Sequence, residues 1–537
     1  MSKDVQNGKL FKSVIIVTIA MVMSRFTGFF RQMLIPNVLG AENISVDALQ
    51  AAFTITNLMY NLLLGGAIAA ALVPVLSKYV AKNQEKRGWV AVSTFLNFIS
   101  LLTIVVCVLG MIFSAQIVPL FYNNSNPEAM ALAISLSRIL FPSVLFLMLA
   151  GMVNGVLNSY KRFAAAALGP SVYNLLVALS IWLFGGTYGV EKATIGIMFS
   201  ALIYFLLQLA FAMKNFKKYK PVIRLKNNGF KTLMKLAIPS IIASSVYQIN
   251  SSIISTRFTS EYETIGLLNA FRNADDIWQL PYGIFTMGIV MATLPTLSEK
   301  VALDRFDEYK GLLFGTFKSN MALILPSAIG LGLLASEVAT AIYRWSANST
   351  AQSIEWISSI LIFFLIGLIS QSLIAIFNRG FYAINNTMVP LICGVITVVV
   401  NLGLCFLFKD VFHFGIWGIS FAFSLSSVVN AIVLMTVLNR RVQGGMGYMK
   451  YLKYVFKLLP SLLVMTGALL LLNYFIPFYS AEEFSMSFKM YSLLVLGAKS
   501  VIAVVVYVTV AILTGIEEVK MVLNKIFGKF LKKVFDK

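Results

Sequence analysis

Leu72-Val73-Pro74-Val75-Leu76-Ser77-Lys78 closes one long apolar run of this 537-residue chain, and Leu294-Pro295-Thr296-Leu297-Ser298-Glu299 closes another. A long polar loop follows each. Pro170 and Pro390 stand at matching places early in two later apolar runs, and all these comparisons give an offset of about 220 residues. Such an offset is what duplication of one six-helix unit produces. Because six is even, both copies enter a membrane from the same side, so the copies are related by an axis along the membrane normal. Two similar bundles facing each other would enclose a central cavity, a geometry suited to alternating access.

Between the two quoted stretches and beyond them, apolar runs bounded by polar, Gly or Pro breaks recur along almost the whole chain. They lie near 12–38, 47–77, 90–121, 129–158, 163–186 and 190–213, then near 232–257, 263–295, 311–344, 352–383, 386–408 and 414–437. A final pair lies near 454–477 and 490–515. Each has about the twenty residues a helix needs to cross a hydrocarbon core about 30 Å thick. The expected fold is an all-α polytopic membrane protein of about fourteen transmembrane helices: two six-helix bundles related by a parallel repeat, plus two C-terminal helices. The expected divisions are an N-terminal bundle over 1–213, a basic linker over 214–231, a second bundle over 232–438, two additional spans within 439–515 and an amphipathic tail over 516–537.

Composition agrees. The chain is 58% hydrophobic and only 12% charged, with a mean hydropathy of +0.83; lipid is its solvent. The net charge of +21 sits in short segments between apolar runs and forms no aromatic-interleaved basic groove, which argues against nucleic acid as a partner. Those cations instead set the topology. Lys78 to Arg87, Lys161 with Arg162, the 214–231 linker, Lys300 to Lys310, Arg440 to Lys453 and the C-terminal tail fall on one side; the alternate loops, such as Asn123 to Glu128 and Ser480 to Glu483, are nearly free of Lys and Arg. The positive-inside rule therefore puts both termini in the cytoplasm. Met1 to Met23 has a basic stretch and an apolar run without a small-residue cleavage site, so it is expected to stay attached as the first span. The tail from Glu517 places Val519, Val522, Leu523, Ile526, Phe527, Phe530, Leu531 and Val534 at helical spacing with lysines elsewhere, and is expected to lie on the inner leaflet.

Charge inside a span costs about 2.5–3.5 kcal/mol at the helix centre, so each instance is a candidate for function. Arg25 lies about 18 Å along its helix from the cytoplasmic end, and Arg31 is nearer the outer side, with Gly28 between them expected to permit a bend. Two guanidiniums in a cavity suit an anion, since Arg grips phosphate with a fixed fork and keeps its charge. In the eighth span Arg272 stands three and four residues before Asp275 and Asp276, spacings that let it pair with either. Two acids against one base leave a carboxylate that could take up a proton or a cation, making Asp275 and Asp276 candidates for coupling. Asp47 opens the second span, with Asn57, Tyr60 and Asn61 deeper; Gly65 and Gly66 are expected to serve close packing. Gln248, Asn250, Ser251 and Ser252 form a polar stripe in the seventh span, while His413, the only histidine, falls in an outer loop.

Cys107, Cys393 and Cys405 all sit in apolar runs without metal or disulfide spacing. No phosphate-binding loop, nucleophile elbow or metal-ligand cluster occurs, so neither enzymatic chemistry nor a cofactor is expected.

Ser24-Arg25-Phe26-Thr27-Gly28-Phe29-Phe30-Arg31, Val46-Asp47-Ala48, Asn57-Leu58 and Ala71-Leu72-Val73-Pro74-Val75-Leu76 resemble the opening of the MviN/MurJ family of lipid II flippases, within the superfamily of multidrug and oligosaccharidyl-lipid exporters. Leu157-Asn158, Arg162-Phe163, Asn273-Ala274-Asp275, Leu280-Pro281 and Phe381-Tyr382 extend the resemblance over essentially the whole chain. It implies an alternating-access carrier in the bacterial cytoplasmic membrane. Such a carrier moves an undecaprenyl-pyrophosphate-linked peptidoglycan precursor from the inner to the outer leaflet; no cofactor is expected, and coupling to the membrane potential, Na+ or H+ is left open. By the same resemblance, Arg25 and Arg31 would hold the diphosphate, Asp47 would be required, and the last two spans would form a groove for the polyprenyl tail. Ser24, Asn57 and Arg272 complete the candidate substrate contacts. The implied partners are lipid II or a related polyprenyl-pyrophosphate glycolipid, membrane lipids and cell-wall synthesis proteins. Three departures bear on the head group: Tyr60 and Asn61 stand where the family typically has paired arginines, Gly65 stands where it has a glutamate further along that span, and Ala274-Asp275-Asp276 stands where it often has Ala-Asp-Arg. Competing expectations are export of another polyprenyl-linked oligosaccharide and ion-coupled drug export, which predicts acidic cavities without paired arginines. A membrane scaffold would have no polar cavity.

Overall fold

A span immersed in lipid must satisfy every backbone N–H and C=O internally, so helix is the form these runs take. The computed structural model describes residues 23–64, 71–250, 254–442, 444–478 and 483–521. Residues 1–22, Gly65 and Gly66, Ser251 and Ser252, most of the 480–483 loop and the tail from Val522 onward lie outside the described residues.

The first half begins with α1 (residues 23–39), α2 (Ile44–Leu64), α3 (Val73–Ala81), α4 (Glu85–Ile112) and α5 (Ser114–Phe121). There follow α6 (Pro127–Ser159), α7 (Phe163–Tyr188), α8 (Val190–Phe216), α9 (Asn228–Gln248) and α10 (Ile254–Ser260). The second half holds α11 (Leu267–Ala302), α12 (Phe306–Leu333), α13 (Ala335–Tyr343) and α14 (Ala351–Ala383). It ends with α15 (Met388–Val411), α16 (Trp417–Arg441), α17 (Tyr448–Phe475) and α18 (Met486–Leu513). Among the described residues eleven helices are long and apolar enough to cross a membrane. The element order repeats: α4 and α12 are both 28 residues, α6 and α14 both 33, and a short helix stands between the members of each pair. α7 and α15 both end in a π-helical turn, at Ile181–Gly185 and Leu407–Val411. The third and ninth expected spans are each broken near the outer end, at Phe113 and Leu334, where the short helices α5 and α13 begin.

Contacts divide the chain into two units, Met1–Asn269 and Ala270–Lys537. In the first, α9 packs on α2 and α4, so the helix after the basic linker belongs with the bundle before it. Its core has one cluster around Val46, Leu49, Ile55, Leu136 and Phe141 and another around Leu72, Trp89, Phe95, Met148 and Leu233. Hydroxyls inside the spans can donate to the carbonyl one turn back, as Thr54 does to Gln50 (2.9 Å) and Thr103 to Ile99 (2.8 Å), which satisfies them within their own helix. The start of α6 is capped by a side chain: Asn126 accepts from the amides of Glu128 and Ala129 ahead of Pro127. The three cysteines are buried and unpaired with one another.

The basic linker is a strap along α4. Ser93 Oγ accepts from Lys220 N (3.1 Å), Asn97 Nδ2 donates to Val222 O (3.0 Å), and Thr94 Oγ1 accepts from Arg224 N (3.3 Å). At its start Lys218 pairs with Glu85, which also accepts from Tyr160 OH (3.1 Å).

The second unit is built on a cluster running through Leu297, Tyr309, Phe317, Phe377, Leu434, Leu458, Met465 and Tyr507. α18 exposes Leu494, Val501, Val504 and Val505 along one side, as a lipid-facing helix would. After α18 the chain turns at Gly515 (φ +71°) and docks. Ile516 and Val519 enter the core cluster, and the buried Glu518 carboxylate accepts from Lys318 Nζ (2.6 Å) and Tyr454 OH (2.8 Å). The beginning of the tail thus differs from expectation: Val519, taken from the sequence as membrane-facing, is buried against protein, because a salt-bridged carboxylate beside it fixes the helix to α12 and α17.

Candidate functional site

Ser24, Gly28 and Arg31 recur at i, i+4 and i+7, so they fall on one stripe of α1. Asn174 of α7 lies along that stripe. Its Oδ1 accepts from Arg31 Nη1 (3.1 Å) and its Nδ2 donates to Ser24 O (3.3 Å). The helix runs unbroken through Gly28, from 23 to 39. The role of the glycine is clearance, since a Cβ there would stand 3.2 Å from Asn174 Nδ2. The half-buried Arg31 guanidinium lies over the Phe53 ring, 5.6 Å from its centroid, and its Nε is buried without a partner. Arg25, two turns nearer the start of α1, is exposed, as is Asn57; Ser24, Tyr60 and Asn61 are half-buried.

Behind this stripe runs a second polar group that sequence reasoning missed. Asn154 Nδ2 donates to Tyr204 OH (2.8 Å), and the Tyr204 ring lies 5.9 Å from that of Tyr173. Gly169 admits both Tyr204 and Gln208, as a Cβ would fall 1.9 Å from Gln208 Nε2. Asn154 Oδ1 and Gln208 Oε1 are buried without partners. The available signal was a set of amides and phenols inside apolar runs, each unremarked because none carries charge.

Asp47 sits elsewhere. It is 4% exposed, and its two oxygens accept from Gly266 N (2.7 Å) and Asn269 N (3.0 Å), so it caps the first turn of α11. Gly266 is required there: its φ is +92°, and a Cβ would meet Ala41 O at 2.5 Å. Gln50 of α2 adds a bond from Nε2 to Asn269 Oδ1 (3.2 Å). In the seventh span Gln248 is half-buried and Asn250 buried.

In the second unit Asp275 is held by its own helix, accepting from Trp278 Nε1 and Gln279 Nε2, each at 2.9 Å. Arg272 and Asp276 are half-buried, and neither lacks a partner. Trp278 packs among Tyr282, Phe364 and Phe423, so α11 turns its aromatic side to the core. Further buried cations, Lys489 and Lys499 among them, escaped the sequence reading although the same cost of charge applies to them. Lys489 Nζ donates to the carbonyls of Thr340 (2.6 Å) and Ala341 (2.7 Å), and Lys499 Nζ to Glu337 (2.9 Å) and Asn473 (2.8 Å). Among the described residues no group of three or more His, Cys, Asp or Glu could hold a metal ion.

The model of the family described as "Lipid II flippase MurJ" matches residues 35–495. The chain belongs to the MurJ family. A MurJ relative of Rhizobium tropici, a probable lipid II flippase, is 31% identical over 446 residues, 80% of this chain and 81% of its own. The corresponding Vibrio cholerae protein is 27% identical over 86% of this chain and 89% of its own. A solved structure of lipid II flippase MurJ in an inward closed conformation superposes with a TM-score of 0.73 at 24% identity, covering 93% of this chain and 100% of that one. An inward-facing multidrug transporter of the MATE family superposes with a TM-score of 0.67 at 16% identity, over 80% of this chain and 98% of the other. The fold is that of MurJ and MATE-like transporters, in a multi-pass membrane protein. The family match begins downstream of Arg25 and Arg31 and does not cover them.

Proposed function

We propose that this chain is a lipid II flippase. It moves an undecaprenyl-pyrophosphate-linked muropeptide from the inner to the outer leaflet by alternating access, for cell-wall synthesis. Family membership supports the cargo. The observation that carries the mechanism is Arg31, a guanidinium held on a neutral amide and an aromatic face, with a buried Nε that has no protein partner. A fixed, uncompensated cation of that kind suits a diphosphate. Arg25, on the same helix and exposed, is the entry contact; Ser24, Asn57 and Arg272 are further polar contacts for the head group. The pair of helices α17 and α18 forms the surface for the polyprenyl tail. Asp275 and Asp276 are the candidates for coupling to the membrane potential, Na+ or H+. Both termini are cytoplasmic, in line with the basic loops, and membrane lipids and cell-wall synthesis proteins are the neighbours of such a carrier.

Depletion of the protein in its native cell tests this. Lipid II accessible at the outer leaflet should fall as the protein is lost; undiminished accessibility in a cell without a second flippase would overturn the assignment.

A further inference from the structure

We infer that Asn174 is a positioning residue for Arg31, chosen as a neutral acceptor so that the arginine is oriented without being neutralised. The inference rests on the proposed role of Arg31 as an anion contact. Its basis is the geometry of one amide against three points of a helix stripe. Nδ2 is fixed toward Ser24 O, a carbonyl that can only accept, so Oδ1 must face Arg31 Nη1. Gly28 leaves the space through which the amide reaches both. The guanidinium also lies over the Phe53 ring, and its Nε has no protein hydrogen-bond partner.

A carboxylate at 174 would hold Arg31 more strongly than an amide does, because the hydrogen bond would be charge-assisted. It would also cancel the charge that an incoming diphosphate needs. Among the described residues of its unit Arg31 makes no ion pair, so the neutral partner is what keeps the cation whole. Asn174 acts through Arg31 and makes no contact with substrate of its own.

The test uses the full-length protein in lipid nanodiscs, with purified lipid II as the probe and thermal melting as the check on folding. Asn174→Ala and Asn174→Asp should each weaken lipid II binding about tenfold or more, Asp at least as much as Ala, while Asn174→Gln recovers part of it. The deciding measurement repeats Asn174→Ala and Asn174→Asp in an Arg31→Ala background, where both effects should vanish. Effects that persist there, or that are missing in the native background, overturn the positioning role. If Arg31→Ala alone leaves binding unchanged, the anion-contact reading of Arg31 fails first, and the two failures are told apart. Should Asn174→Asp not fold, Asn174→Ser, which removes the acceptor reach without adding charge, serves in its place.

Discussion

Asp47 is a buried acid whose partners are backbone groups. Its carboxylate occupies two backbone N–H groups at the start of α11, the helix that carries Arg272, Asp275 and Asp276 further along. Asp47→Asn keeps one acceptor but turns an NH2 group toward a backbone donor. The variant should lose about 1–3 kcal/mol of stability, seen as a lower melting temperature in detergent, whereas its affinity for lipid II in the folded fraction should be unchanged. The sequence showed that Asp47 and Arg31 were unusual, because charge near lipid is conspicuous. It did not show their partners: Asn174 lies 143 residues from Arg31 and Gly266 lies 219 from Asp47, and neither is marked by composition. Arg272 was expected to interact with either aspartate, and Asp275 in addition accepts from Trp278 and Gln279, which lie at the same three- and four-residue spacings on the other side in sequence. Spacing allows several partners; packing selects among them.

At the level of elements, α18 is joined to α13 by two buried lysines on a helix whose opposite side is exposed and apolar. Lys499 and Glu337 are 1% and 4% exposed. Lys489 adds bonds to the last carbonyls of α13 and lies 4.1 Å from the Trp345 ring centroid. Lys499→Met leaves Glu337 charged and unpaired and should cost about 3–5 kcal/mol. Adding Glu337→Gln should return part of that loss, with the coupling read from a double-mutant cycle of melting temperatures. The docked start of the tail has its own pH signature. Burial raises the Glu518 pKa, but the hydrogen bonds from Lys318 and Tyr454 more than offset it and hold the group below its ordinary value of 4.5. A depressed folded-state pKa stabilises docking above the unfolded value and gives that up as pH falls through the folded one. Hydrogen exchange of residues 516–521, corrected for intrinsic rates, should therefore stay protected from neutral pH down to about 4.5 and open below it. Glu518→Gln should remove that acid transition. Helix existence and length were legible in the apolar runs. The breaks at Phe113 and Leu334 were not, because hydropathy continues across them while the backbone turns.

For the whole molecule, the repeat was readable because duplicated punctuation survives where apolar residues interchange freely: Pro-x-Leu-Ser at the ends of two spans and Pro170 against Pro390. The matched lengths of α4 with α12 and α6 with α14, and the π turns ending α7 and α15, show the same duplication in element order. A sequence repeat says where spans correspond, but contact decides what folds together. The linker at 214–231 looked like a boundary because it is polar and basic, whereas its backbone is bonded to α4 and the next helix packs on α2 and α4.

The capping of α11 by Asp47 carries a consequence for biosynthesis. A nascent chain that has just completed the basic linker already contains Asp47 but still lacks the 38 residues from 232 to 269 that end with its two amide partners. At about 5–20 residues per second that gap lasts roughly 2–8 s. During that interval the second span carries a carboxylate with no native partner, at the very edge of the bilayer. The native partners of Asp47 are therefore made only after the ribosome has begun the second copy of the repeat.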